Sequence, residues 1–320
     1  MPISTFIGID SGSEVLQAFV NGVINGSAYG LLAVGFALIL SVTGRFHFAY
    51  ALTYALAAFL AAVLERVYGL PLLPAAAAGL AAAAVAGVAC DVIVYRPLAE
   101  RAGSGAMLTI FVASLGILIA GENALSLAWG PGPRNLTGIG SHSISVAGAT
   151  FTTLDIISVV LSAALCVALW LVLIRSGFGR EIKAVRANAE MSTAIGIDVR
   201  RVYGSVFVIG SLLGGVAALL YGLKYAASPD MGEDAVFYAL VVTFLAVSSS
   251  SPLRLFAVGV GVGLVERVAG LWLSPQLSTG VVFVLLLAFL SHRSLQLALG
   301  GRSLSFSVGR RVRAIRGAAS

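Results

Sequence analysis

The chain has 320 residues, of which 59% are hydrophobic and 11% charged, and its mean hydropathy is +0.99. Ordinary soluble domains carry about 25% charged residues, so this chain has too little polar surface to face water, which excludes a soluble enzyme, a nucleic-acid-binding module and a disordered adaptor. The net charge of +6 rests on arginines, with Lys183 and Lys224 the only lysines; they gather between apolar runs and near the C-terminus, where they suit topology signals and contact with anionic lipid headgroups.

A membrane span needs about 20 apolar residues. In chain order, the apolar runs predict spans at residues 16–40, 48–64, 72–94, 106–128, 156–174, 202–223, 236–247, 255–273 and 277–290. Their Ala, Leu, Val and Gly content lacks the alternation of barrel strands. The expected fold is an all-α integral membrane protein, a polytopic bundle of about nine transmembrane helices, with eight to ten allowed. Glu266 and Arg267 interrupt the last cluster, and Ser274-Pro275-Gln276 reads as a turn. The transmembrane domain is expected over 1–300, with a basic tail at 301–320. Residues 1–14 hold Asp10 and Glu14 but no basic residue, so no leader is expected and the first run reads as a retained span.

Arginines set the expected orientation. Segment 175–201 holds Arg175, Arg180, Lys183, Arg186, Arg200 and Arg201, which places it in the cytoplasm. Counting spans from there puts Arg45, Arg96, Arg101, Arg254 and the basic tail inside. The same count puts 129–153 and 224–235 outside, with the N-terminus outside as well.

Several chemistries find no support. No G-x-x-x-x-G-K-[ST], H-E-x-x-H or G-x-S-x-G run occurs, so no cofactor, metal or nucleophile is expected. Cys90 and Cys166 lie in apolar runs and read as small core residues. Polar groups inside spans are costly unless they face protein or water. On that ground Asn21, Asn25, Gly26, Ser27 and Tyr29 are candidate path residues, with Asn25-Gly26-Ser27 able to break the first span near mid-membrane; interhelical packing is the other reading. Glu122 and Asn123 serve either packing or solute contact. Asp91 is expected to snorkel or to pair with Arg96, Glu266 with Arg267 to form an intramembrane pair, and His47 to sit at an interface. In segment 175–201, residues 180–195 read as one amphipathic helix with Ile182, Val185, Ala189 and Ser192 on one stripe. Arg186 and Glu190 are spaced for an ion pair. Gly196 suits a left-handed C-terminal turn and Asp198 an N-cap.

Glu190-Met191-Ser192-x-x-x-Gly196 resembles the Glu-Ala-Ala-x-x-x-Gly loop of ABC importer permeases. Other stretches agree. Asn21-Gly22 with Gly26-Ser27-Ala28-Tyr29-Gly30-Leu31-Leu32-Ala33-Val34-Gly35-Phe36-Ala37-Leu38-Ile39-Leu40 is similar to the first span of the branched-chain amino-acid ABC permeases. Tyr95-Arg96-Pro97-Leu98, Asn123 with Trp129-Gly130-Pro131, and Gly179 with Ala194-Ile195-Gly196-Ile197 resemble their Y-R-P-L, Q-N…W-G-P and G-x-x-x-R-A…L-G-I stretches. The agreement runs in order from Asn21 to Arg293, and the chain looks like the first of the two permeases in such systems. It departs at His47-Phe48-Ala49-Tyr50-Ala51-Leu52, where the family commonly has Asn-Phe-Ala-His-Gly-Asp. It departs again at Val247-Ser248-Ser249-Ser250-Ser251-Pro252, in place of a glycine-rich stretch, and at Glu122, in place of Gln.

The resemblance implies a non-enzymatic permease subunit in the bacterial inner membrane, handling a branched-chain amino acid or similar small polar solute. It implies a second homologous permease, two cytoplasmic ATPase subunits and an extracytoplasmic solute-binding protein as partners, with membrane lipid around them. Energy would enter through 175–201, at Arg186, Glu190 and Gly196. The alternative is a self-sufficient proton-coupled carrier using Glu122, Asp91 or Glu266.

Overall fold

The computed structural model describes residues 12–137, 142–146, 148–246, 251–274, 277–278 and 280–292. All nine predicted runs are helical there. Helix α1 is Gly12–Thr43 and α2 is Tyr50–Arg66. Helix α3, Leu72–Ala89, continues through a π-helical turn, Cys90–Tyr95, into α4, Arg96–Ala102. Then follow α5, Ala106–Trp129, a small antiparallel hairpin of β1, Ser143–Val146, and β2, Ala149–Thr152, and α6, Thr153–Arg175. Two short helices, α7 Gly177–Ala187 and α8 Ala189–Ala194, lead to α9, Val199–Lys224. The chain continues with α10, Gly232–Leu245, α11, Pro252–Ala269, and α12, Gly280–His292. Five runs are long and apolar enough to cross a membrane: α1, α3 with α4, α5, α6 and α9. The basic tail 301–320, the stretch 247–250, the turn at Pro275-Gln276 and residues 1–11 lie outside the described residues.

Helix α1 is the axis of the bundle. Its apolar window is 72% buried and that of α9 is 67% buried, against 28% for α3 with α4, α5 and α6. Those three present their remaining apolar faces outward, as lipid-facing helices do. The most extensive crossing is α1 on α11. A Cβ at Gly26 would lie 2.6 Å from Val260 Cα and 2.8 Å from the Gly259 carbonyl oxygen. Only a glycine lets the two backbones come this close, the device by which membrane helices pack without a hydrophobic drive.

Polar ties sort the loops into two ends. At one end, Arg96 Nη2 donates to the Arg200 carbonyl at 2.9 Å, Arg200 pairs with Glu100 at 3.2 Å, and Arg45 reaches Asp91. At the other, Gln17 holds Thr150, Arg66 donates to the Asn135 carbonyl, Lys224 pairs with Asp155, and residues 134 and 227 form a two-way backbone bridge. Loops that the arginine count puts on one side meet at one end.

Three local expectations are corrected. His47 is not interfacial: it is fully buried, its Nδ1 lies 2.7 Å from the Tyr95 hydroxyl, and its ring packs on Tyr50 and Phe207. Residues 44–49 carry it there, turning back from the end of α1 into the bundle. As a result, the hydroxyl of Tyr50, first residue of α2, donates to the Leu32 and Gly210 carbonyls well inside α1 and α9. Asp91 does not snorkel. It is fully buried and held by Arg96, at 2.8 Å to Nε and 2.6 Å to Nη2, and by Arg45. The pairing with Arg96 is as expected, because the wider π-helical turn brings residues five apart into line. Glu266 and Arg267 form no ion pair with each other among the described residues, because adjacent helical residues point apart. Cys90 and Cys166 are buried free thiols, as expected.

Candidate functional site

A cavity of about 530 Å³ lies between α1, α2, α9, α10 and α11. Five of the nine tyrosines line it: Tyr29, Tyr54, Tyr221, Tyr225 and Tyr238. Tyr29 and Tyr238 stack face to face, with ring centroids 4.2 Å apart and planes 3° apart. The Tyr238 hydroxyl donates to Glu266 Oε1 at 3.1 Å. In the amide orientation that satisfies both groups, the Asn25 oxygen accepts from Arg267 Nε at 2.8 Å and from Nη2. The mouth carries exposed Tyr225, Asp230 and Asp234. One side of the cavity thus offers an oriented guanidinium, the mouth offers carboxylates, and aromatic faces fill the space between.

The irregular backbone that lines this cavity is 225–231, not the first span. Helix α1 runs unbroken through Asn25-Gly26-Ser27, which corrects the expected break. The Ser27 hydroxyl donates to the Ile24 carbonyl at 2.7 Å, so its polar demand is met inside the helix. Gly26 faces α11 and Ser27 is fully buried, and neither lies on the cavity wall. Between α9 and α10 the chain instead leaves helical geometry. Ala226 has φ 139°, a strained conformation for a residue with a side chain. The next residue, Ala227, is bridged to Arg134 with both N–H···O distances 2.8 Å, which holds the turn in place. Ser228 Oγ donates to Asp230 Oδ1 at 2.6 Å.

The remaining sequence candidates scatter. Asn21 accepts from Gln17 Nε2 at 3.2 Å and borders a separate polar cleft with Glu14, Glu266 and Arg267. Glu122 is buried, its Oε1 has no hydrogen bond among the described residues, and it faces Glu233 and Asp230. Asn123 is exposed on the outer face of α5 and donates to the Ile119 carbonyl at 2.7 Å. Only Asn25 and Tyr29 of the candidates stand on the cavity wall. Sequence reasoning missed Tyr54, Tyr221, Tyr238, Asp230, Asp234 and the cavity role of Arg267. The available signal was Ser228-Pro229-Asp230-Met231-Gly232, turn residues carrying acid between two apolar runs.

At the opposite end, 175–201 forms two helices where one was expected. Asn188, extended at φ −162° and ψ 109°, ends α7, and its side chain caps α8 by accepting from Met191 N at 2.9 Å. That break removes the helical register between Arg186 and Glu190; both are exposed and they form no ion pair. The apolar stripe holds: Ile182, Val185 and Ser192 are buried and Ala189 is half-buried. Gly196 has φ 89°, and Asp198 accepts from Arg201 N at 3.1 Å as an N-cap.

Comparison with known proteins matches residues 18–290 to the family described as "Branched-chain amino acid transport system / permease component". The chain is 29% identical over 294 residues to the high-affinity branched-chain amino acid transport system permease protein BraD of Pseudomonas aeruginosa, covering 87% of this chain and 94% of that protein. It is 27% identical over 290 residues to the corresponding permease protein LivH of Escherichia coli K12, covering 86% and 92%. LivH of Salmonella typhimurium is 26% identical over 289 residues, covering 86% and 92%. These relatives are transport permeases rather than enzymes, and they support a permease component over a self-sufficient carrier. Nearly end-to-end matching on an all-α membrane architecture leads to one conclusion: the chain belongs to the family of branched-chain amino acid transport system permease components.

Proposed function

We propose that this chain is one of two homologous permeases in a bacterial inner-membrane ABC importer for a branched-chain amino acid or a similar small zwitterion. The observation that carries this reading is the family match along 18–290. Two cytoplasmic ATPase subunits and an extracytoplasmic solute-binding protein complete the machine. The end bearing Arg45, Arg96 and 175–201 faces the cytoplasm, following the arginine bias. The N-terminus is outside and the tail 301–320 inside. Segment 175–201, with Arg186, Glu190 and Gly196, passes nucleotide-dependent movement to the spans of the 1–300 permease domain.

The solute path runs through the tyrosine-lined cavity, with Asn25 and Tyr29 on its wall; Gly26 and Ser27 pack behind that wall, Asn21 and Glu122 adjoin it, and Asn123, on the outer face of α5, stands apart from it. The cavity chemistry suits an α-amino acid. Arg267 has five N–H donors, and Asn25 takes only Nε and Nη2, leaving donors for a carboxylate. Asp230 and Asp234 suit an ammonium group, and tyrosine faces suit an aliphatic side chain.

Reconstitution tests the reading. Proteoliposomes holding both permeases, the ATPases and the binding protein should take up leucine only with ATP. This chain alone, under a proton gradient, should take up none; gradient-driven uptake by the chain alone would overturn the proposal. Within the active complex, Arg267→Ala should raise the leucine requirement about tenfold, the loss of one charge-assisted hydrogen bond. Arg267→Lys should recover part of it.

A further inference from the structure

A second cavity, of about 460 Å³, opens at the arginine-rich end of the bundle. Its walls come from α1, α6, α10, α11 and α12 and are largely aliphatic, with Leu38, Leu173 and Leu255 among them. Its rim is different. Lys183 and Arg186 of α7 both line it and both are exposed. They are three residues apart on one helix and so share a face. Neither has an ion pair or side-chain hydrogen bond among the described residues, although every other cation at this end that reaches into the bundle, Arg45 and Arg96, is held by Asp91. Half-buried Trp170 lines the same cavity from α6, five residues before that helix ends at Arg175, and indole rings are favoured near the ends of membrane spans.

We propose that this groove binds one anionic phospholipid of the adjacent leaflet, with an acyl chain along the aliphatic walls and its phosphate held by Lys183 and Arg186. Charge complementarity selects the occupant. An aliphatic slot in the bilayer takes a hydrocarbon chain, and two free cations at its interfacial end take a phosphate. A soluble partner can approach the exposed side of α7 but cannot follow the slot down beside Leu38 and Leu255. Lipid bound there would tie α7 to the ends of α1, α6 and α11, and so join the segment read above as the energy input to the spans. That the leaflet is the cytoplasmic one rests on the proposed orientation; the binding itself does not.

Native mass spectrometry of the purified full-length chain tests it, with phosphatidylglycerol and phosphatidylcholine of identical acyl chains as probes. The expected result is a preference for phosphatidylglycerol on the order of tenfold, from two cation contacts near the headgroup. Lys183→Ala with Arg186→Ala should abolish the preference, and Lys183→Arg with Arg186→Lys should keep it. Both side chains are exposed, so an unchanged unfolding temperature of the double alanine variant checks that the fold is intact. Equal retention of the two lipids by the wild type would overturn the proposal, as would an undiminished preference in the double alanine variant. Co-purification with the ATPases separates the two readings: a double alanine variant that loses the ATPases yet keeps its lipid preference assigns the pair to ATPase docking and rejects the lipid site.

Discussion

Gly26 shows how a residue's chemistry leaves its role open until its neighbours are known. Beside Asn25 and Ser27, a glycine in a span reads as a place where backbone meets solute. The structure points its missing side chain at Val260, 2.6 Å from that residue's Cα. The neighbour is backbone, which cannot rotate aside. A larger residue therefore has to push α11 away from α1, and overpacking of this kind costs about 1–3 kcal/mol, here toward the upper end. Gly26→Leu is expected to lower the unfolding temperature in detergent and the yield of assembled complex, rather than to spare assembly and block transport alone. A variant that assembles at wild-type yield and melts at the wild-type temperature would return Gly26 to the path. Asn25, one residue earlier, lines the tyrosine cavity and braces Arg267 of the same helix α11. Sequence spacing separates the two positions by about 100° around the helix but does not say which lies against the α11 backbone and which opens on the cavity.

At the scale of elements, the legible parts are those whose cause is local. Apolar runs announce spans because lipid demands them, and all nine have helical counterparts. The stripe of Ile182, Val185 and Ser192 is legible because it needs only helical periodicity, and it survives the break between α7 and α8. The break itself has a local signal in Asn188, a good N-cap, which the run of helix formers around it hides. Apart from the acidic turn at 228–232, the cavity has no local signal: its tyrosines come from α1, α2, α9, the residue after α9 and α10, and meet only through tertiary packing. The re-entry at 44–49 is equally hidden, because it reads as the gap between two ordinary spans. Gly196 is a local feature with a testable consequence. Its φ of 89° suits glycine and opposes a β-branched side chain. A Cβ there would meet nothing within 4 Å, so the cost of Gly196→Val is conformational rather than steric. The variant should displace α8 while leaving the spans inserted. Co-purifying ATPase and solute-stimulated ATP hydrolysis should both fall at least severalfold, and wild-type values of both would reject 175–201 as the coupling element.

Across the whole molecule, charge divides the bundle. One end collects Arg45, Arg96, Arg101, Arg175, Arg180, Lys183, Arg186, Arg200, Arg201 and Arg254 against Asp91, Glu100, Glu181, Glu190 and Asp198, while the other sets Arg66, Arg134 and Lys224 among Glu65, Asp155, Asp230, Glu233 and Asp234. Ties within each end, such as Arg96 to Arg200 and Arg66 to Asn135, fix which loops travel together. A single measurement on each end therefore orients the whole chain. The native thiols Cys90 and Cys166 are buried, so an introduced cysteine reports with little background. Asn135 and Ala187 are both exposed, at opposite ends. In intact cells stripped of the outer membrane, a membrane-impermeant maleimide should label Asn135→Cys directly and Ala187→Cys only after permeabilisation. The reverse pattern would invert the proposed orientation, and with it the assignment of 175–201 to the ATPases and of the tyrosine cavity to the side that receives solute. Labelling of both sites from outside would contradict the antiparallel course of α6 between the two ends.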